Sequence, residues 1–376
     1  MRVLGFGTYD LDRHPRAGVL LEGLREHGDD VREVTSPLGL DTERRVRLLK
    51  QPWRLPLLAL RIVLVWARIA VRGWWVARRW HPDVVLVGYL GHFDVLLARV
   101  LFPRTTLVLD HLIFAADTAV DRGSGHRLLL AVLRALDRLA LRAADVVVVD
   151  TDEHAAMVTG SARADVVVVP VGATRSWFDA AHEPLVEALG TPLRVVMFGL
   201  FTPLHGTTVV ARALRLVAER GVDVQVLMVG HGQDHAAALA LVGDNPRVRW
   251  ESWVPADELP AVVAAHDVCL GILGDRGKAL RVVPNKVFQG AAAGCAVLTS
   301  DTPAQRRAMD GAAVLLPPGD PEALATALAQ LADDPHRVLA LRRAARSRAL
   351  ERYTPATVVD ELRRQLLSRS GVSAGR

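Results

Sequence analysis

Only two cysteines, Cys269 and Cys295, occur in 376 residues, and neither stands in a CxxC or Cys/His ligand spacing, which excludes a disulfide framework and the usual zinc ribbons. Both lie in apolar, strand-like runs, where cysteine serves as a small buried hydrophobe, so a reducing, cytoplasmic setting is expected. The N-terminal MRVLGFGTYD lacks the long apolar region of a secretory signal and reads as a first strand. No apolar run is long enough to cross a bilayer. In the stretch richest in tryptophan, residues 43–80, Arg61 and Arg68 leave only IVLVWA between them, whereas a spanning helix needs about 20 apolar residues. No G-x-G-x-x-G follows a strand with an acidic residue at the required distance, which argues against a dinucleotide-dependent dehydrogenase.

What is present is a long chain, 51% hydrophobic, in which short valine- and leucine-rich runs alternate with helical patterns. MRVLGFG, DVVLVGYL, TTLVLDH, DVVVVDT and DVVVVPV precede a strand-free break at ATRSWFDAAHEPLVEALGTP. LRVVMFGL, VQVLMVGHG, DVCLGIL, CAVLTSD and AAVLLPP follow it. Near-continuous apolar strands separated by helices predict parallel sheets, and the length exceeds what one core supports. The expected fold class is α/β, with two doubly wound, Rossmann-like domains facing across a cleft. The expected boundaries are 1–172, a hinge at 173–191, 192–352, and a C-terminal helix at 353–376 crossing back to the first domain.

Charge is concentrated. Residues 43–80 hold ten basic residues against Glu43 alone, so the remainder of this net +5 chain is acidic, and no nucleic-acid partner is expected. Arg54, Arg61 and Arg68 recur every seven residues, with Leu60, Val63 and Ala67 predicted on the opposite helical face. Two readings stand: an amphipathic helix contacting an anionic membrane surface, or an ordinary domain helix packing its apolar face on a sheet.

The densest functional signal is RVVPNKVFQGAAAGCAVLTSD, residues 281–301. Pro284 suits a first helical turn, while Lys278, Arg281 and Lys286 bring positive charge to the positive end of the helix dipole, an arrangement suited to phosphate. Gly294 is placed to end the helix before a buried strand.

Taken in order, FGLFTPLHGTTVVARAL, VLMVGHGQ, PNKVFQGAAAGCAVLTSD and GAAVLLPPGDPEALATAL resemble the donor domain of retaining GT-B glycosyltransferases of the family-four, group-one type. PVGATRSWF resembles the interdomain hinge of that family, and the resemblance covers almost the whole chain. It implies sugar transfer from a nucleotide-sugar co-substrate to an acceptor, lipid-linked or small, with no metal and no further cofactor. The donor residues it implies are Gly199, His205, Gly230, Gly232, Lys278, Arg281, Lys286 and Gln289. The family's common donor pattern is broken at four of its positions, where Leu200 and His205 stand for an arginine and a lysine, and Arg281 and Gln289 for two glutamates. Gly230 and Gly232 have an equal claim as turn glycines.

The resemblance also makes His111, directly after a buried strand, the catalytic candidate, orienting the sugar or stabilising charge. Arg13 and Arg16, with Tyr9 and His14, occupy the loop where relatives receive the acceptor. The strings Asp10-x-Asp12 and Asp150-x-Asp152 are readily found by chance, and no metal is assigned. The alternatives are a catalytically silent GT-B protein that binds a membrane or partner through residues 43–80, and a GT-B sugar-nucleotide epimerase or phosphorylase.

Overall fold

The computed structural model describes every residue except 11–14, 38–54, 90, 122–124, 159–163, 183–191 and 371–376. It divides into two compact units: Met1–Val149 with His154–Val169 and Val359–Arg376, and Asp150–Glu153 with Pro170–Val358.

The first unit follows the order β1 (Arg2–Gly7), α1 (Pro15–Glu26), β2 (Asp30–Thr35), α2 (Leu55–Arg79), β3 (Val84–Val87), α3 (Asp94–Leu101), β4 (Thr106–Asp110). It continues with α4 (Ala115–Asp121), α5 (Arg127–Ala143), β5 (Val146–Val149), α6 (Asp152–Met157) and β6 (Asp165–Val168). The strands form one parallel sheet in the order β2-β1-β3-β4-β5-β6. Strand alternation sends Leu4, Phe6, Val85, Val87, Leu107, Leu109, Val147 and Val149 to one face, where they pack with Ile69 and Trp80, Val95 and Ala98 of α3, and Ala140 and Leu141 of α5.

The second unit runs α7 (Arg175–Asp179), β7 (Leu193–Phe198), α8 (Thr207–Glu219), β8 (Val224–Val229), α9 (His235–Val242), β9 (Val248–Glu251), α10 (Leu259–Ala264), β10 (Val268–Leu270). There follow α11 (Asn285–Ala292), β11 (Ala296–Ser300), α12 (Pro303–Met309), β12 (Val314–Leu316), α13 (Pro321–Asp333) and α14 (Pro335–Arg352). Its sheet is also six parallel strands, β12-β11-β10-β7-β8-β9. Asp320 caps α13 by accepting from the Ala323 N–H at 3.0 Å, with Pro321 at its first turn.

The last helix, α15 (Pro355–Ser370), is held from Val359 to the first unit by ion pairs Arg363–Asp29 at 2.9 Å and Arg369–Asp165 at 2.6 Å. Each sheet has one strand more than the five expected. The additional strands, β2 and β9, are the outermost members of their sheets and read DVREVT and VRWE; half-exposed edges alternate polar with apolar and lack the continuous apolar signature.

Helix α2 also differs from expectation. Its packed side carries Ile69 and Gly73, with Trp80 buried just after it, whereas Leu60, Val63 and Ala67 face solvent, as do Arg61 and Arg68. Arg54 and Trp53 lie outside the described residues.

One buried charge ties the second sheet to α14. Asp267 accepts from the Arg194 backbone and guanidinium, 2.9–3.1 Å, and from Arg342 Nη1 at 3.0 Å, while Arg342 Nε donates to the Gly294 carbonyl. Removing the carboxylate strands a buried guanidinium, so Asp267→Ala should destabilise the second unit by about 3 kcal/mol, read from urea unfolding against the parent chain.

Candidate functional site

The second sheet presents its candidate residues at the carboxyl ends of β7 and β8 and at the start of α11. Gly199 follows β7 at φ 112°, and Gly230 follows β8 at φ 139°, conformations that disfavour a side chain. The two turns touch: a Cβ on Gly230 would lie 1.9 Å from the Gly199 carbonyl oxygen, and one on Gly232 would lie 2.5 Å from that of Phe201. Backbone packing therefore accounts for Gly230 and Gly232. Gly199 is different, because the nearest atoms a Cβ there would meet belong to the Lys286 side chain and the His205 ring, at 3.7–3.8 Å.

Gly199, His205 and Lys286 thus converge. His205 ends a 3-10 turn, Pro203–His205, and its Nδ1–H donates to the Leu200 carbonyl. Lys286, the second residue of α11, is 4% exposed, with Nζ 3.5 Å from His205 Nδ1. Burial, and then the Lys286 ammonium, hold the His205 pKa well below its ordinary value, so the ring is neutral. Burial likewise lowers the Lys286 pKa from 10.5 to about 8, and no carboxylate among the described residues pairs with it. The nearby Cys269 offers no anion, because burial pushes its thiol up to about 12.

Helix α11 begins at Asn285, with Pro284 just before it in extended conformation as the N-cap residue and no side chain capping it. Gly294 follows at φ 82° and ends it. Gln289 is buried on the same helix. Lys278, half-buried in a second 3-10 turn, Gly277–Leu280, is close enough to depress the His205 pKa further. Arg281 closes that turn, and its carbonyl accepts from Thr151 Oγ1 at 2.9 Å.

In the first unit, His111 directly follows β4, its N–H donating to the Val148 carbonyl at 2.8 Å. The ring is buried between His92 and Phe114, at centroid separations of 5.0 and 4.5 Å, and Phe114 in turn meets His154. His92 Nε2–H donates to Asp137 at 2.9 Å, and Asp137 also accepts from the N–H groups of Ala115 and Ala116. Burial raises the Asp137 pKa, but the His92 and backbone hydrogen bonds outweigh it and leave a net lowering.

Among the described residues, His92, His111 and Asp137 are the one group that brings three possible metal-ligand atoms together, all within 4.8 Å. With three N–H donors already on Asp137, the arrangement is accounted for as a hydrogen-bonded scaffold under His111.

Arg16 is not a loop charge. It lies inside α1, buried, with Nε 2.7 Å from Asp110 and Nη2 3.0 Å from the Val169 carbonyl. A guanidinium this enclosed is held by its carboxylate and does not stand free in a loop. Tyr9 is buried as well, lying against Gly5 and Gly88, and Arg13 and His14 lie outside the described residues.

Two six-stranded, doubly wound units define the GT-B class. Residues 192–334 match the family model "Glycosyl transferases group 1". The chain is 29% identical over 296 residues to 2-deoxystreptamine glucosyltransferase of Streptomyces kanamyceticus, covering 72% of this chain and 73% of that protein. Its fold is similar to sucrose-phosphate synthase from Thermosynechococcus elongatus, with a TM-score of 0.69 and 15% identity over 98% of this chain and 99% of that one. It is also similar to Anabaena HepE in complex with UDP-glucose, with a TM-score of 0.68 and 15% identity over 98% and 100% of the two chains. Residues 192–334 therefore form a group 1 glycosyltransferase domain, in a chain whose fold is GT-B.

The glycine contacts are testable. Gly230→Ala forces a Cβ onto the Gly199 carbonyl and should cost about 2–3 kcal/mol, lowering the melting temperature of the ligand-free protein.

Proposed function

We propose that this protein moves a hexose from a nucleoside diphosphate sugar to a small polyhydroxylated acceptor, with retention of configuration and without a metal ion. The observation that carries the reading is the buried Lys286 ammonium beside Gly199 and the uncapped start of α11, with no carboxylate among the described residues to neutralise it. A leaving diphosphate gains negative charge as its glycosidic bond breaks. A fixed cation and backbone N–H groups directed at that charge stabilise the transition state more than the ground state. Lys278 and Arg281 supply further positive charge, and Gln289 a hydrogen-bonding group for the ribose.

Lys286 takes the place of the cations missing from the family's first glycine loop. UDP-glucose is the first donor to test, supported by the complex of HepE and by the glucosyltransferase relative; an aminocyclitol is the first acceptor. His111, propped by His92 and Phe114, orients the transferred sugar and stabilises its developing positive charge without forming a covalent bond. Both free, buried cysteines suit a cytoplasmic enzyme.

UDP or UDP-glucose at about a hundredfold its Kd should stabilise the chain by about 2.7 kcal/mol in a thermal-shift assay. Lys286→Met should weaken that binding by about tenfold or more. The reading fails if no UDP-, GDP- or dTDP-sugar shifts the melting temperature, or if the variant binds as the parent does. Retention and metal independence are read from the anomeric configuration of the product by proton NMR and from activity undiminished by EDTA.

The pH dependence has a definite sign. Lys286 is charged below about 8, so donor affinity should be flat on the acid side and fall as pH rises through about 8. Stability of the ligand-free protein behaves oppositely: between about 8 and the ordinary 10.5, the unfolded chain holds the extra proton, so this residue makes stability rise with pH in that window. His111→Ala should lower kcat by about a hundredfold while leaving UDP binding intact.

A further inference from the structure

Helices α2, α3 and α5 form one layer on a single face of the first sheet, and the outer surface of that layer is not explained by packing. On α2, Leu60, Val63, Leu64, Val71, Trp74 and Trp75 are all between 43% and 61% exposed. Their spacing of three, four and seven residues makes a continuous stripe opposite the buried Ile69 and Gly73, so the helix is apolar on two sides. On α5, Leu128, Val132 and Leu139 repeat the arrangement, at 52–70% exposure, and Val100 of α3 stands exposed on the helix between them.

The charges beside these stripes have one sign. Helix α2 holds no carboxylate; Arg61, Arg68 and Arg72 flank its stripe, and Arg78 and Arg79 stack over Trp74 and Trp75 at 4.2 and 4.6 Å. The single carboxylate of α5, Asp137, is buried on His92, whereas Arg127, Arg134, Arg138 and Arg142 form a row along the helix. The carboxylate of α3, Asp94, is buried too, accepting from Thr8 and Trp66.

We propose that the outer surface of the α2–α3–α5 layer docks on an anionic lipid bilayer, with α2 and α5 lying in the interface. Exposed tryptophans belong at headgroup depth, apolar stripes enter the acyl boundary, and flanking arginines meet lipid phosphates. The helices lie on the bilayer and do not cross it, since no helix among the described residues is long and apolar enough to span. A second copy of the chain is the poorer occupant, because pairing this face with itself would oppose one arginine row to another. The inference is independent of the donor reading.

The test uses the full-length chain in vesicle flotation, with phosphatidylglycerol–phosphatidylcholine vesicles against phosphatidylcholine alone. The expected result is flotation with the anionic vesicles only, with a blue shift of tryptophan emission and loss of binding at high salt. Trp74→Ser/Trp75→Ser, Leu128→Ser/Val132→Ser and Arg61→Glu/Arg68→Glu should each weaken binding by about tenfold or more. These are exposed positions, so the circular dichroism melts and the UDP-induced thermal shift of each variant should match the parent. The proposal is overturned if the parent does not float with anionic vesicles, if the α5 pair leaves binding unchanged, or if sedimentation velocity reveals a lipid-free dimer that the serine pairs dissociate.

Discussion

An ammonium group withheld from water, without a carboxylate beside it among the described residues, is the constraint around which the second unit is arranged. Burial of Lys286 opposes its charge strongly enough to bring its pKa down to about 8, a cost that a fold optimised only for stability would remove with an apolar residue of similar volume. The surroundings conform to it. Gly199 contributes no side chain where the lysine methylenes and the His205 ring lie, and His205 stays neutral, directing its Nδ1 proton to the Leu200 carbonyl. The unsatisfied electrostatics are local and polarised: cation, helix start and backbone turns all favour an anion. A released diphosphate, the leaving group of the proposed reaction, is such an anion.

The first unit solves a different problem, that of holding an imidazole ring in a fixed pose. His111 is fixed through its backbone to β5 and through its ring to His92 and Phe114, while His92 is itself oriented by a carboxylate that α4 saturates with two N–H groups. A ring so enclosed keeps few rotamers, as the positioning role proposed for it requires. The Arg16–Asp110 pair has a related effect one residue earlier, fastening the end of β4 to α1.

The ten strands visible in the sequence carry nearly unbroken apolar runs, as buried strands of a parallel sheet do. Two of the four edge strands, DVREVT and VRWE, hide in their own alternation. Lys286 stands out in the sequence as a basic residue at a helix start, but its burial does not, since it depends on Gly199 and His205 more than 80 positions away. Arg16 reads as a loop charge until Asp110, 94 residues on, is brought beside it. Asp137 carries no local motif; within an amphipathic helix it looks like one more surface charge, and only the fold turns it toward His92. Glycines are ambiguous for the same reason. Gly230 and Gly232 satisfy a contact between two turns, and sequence cannot separate that from a ligand contact.

Helix α2 shows how far periodicity alone can lead. Predicting which face packs assumes that one side is apolar, but here the inner side supplies Ile69 and Gly73 while the outer side supplies Leu64, Val71 and Trp74. Scattered exposed apolar residues need no explanation, and about half of any protein surface is apolar. A stripe repeated on two helices of one layer, bordered by arginines and by no exposed carboxylate of α2, α3 or α5, is a different pattern, because solubility favours interspersed signs and broken patches. Selection for folding gives no reason to keep it: substituting Leu64 or Val132 by a polar residue would cost the core nothing, since neither side chain is buried. The layer therefore answers to a surface outside the molecule, and its charge limits that surface to an anionic one.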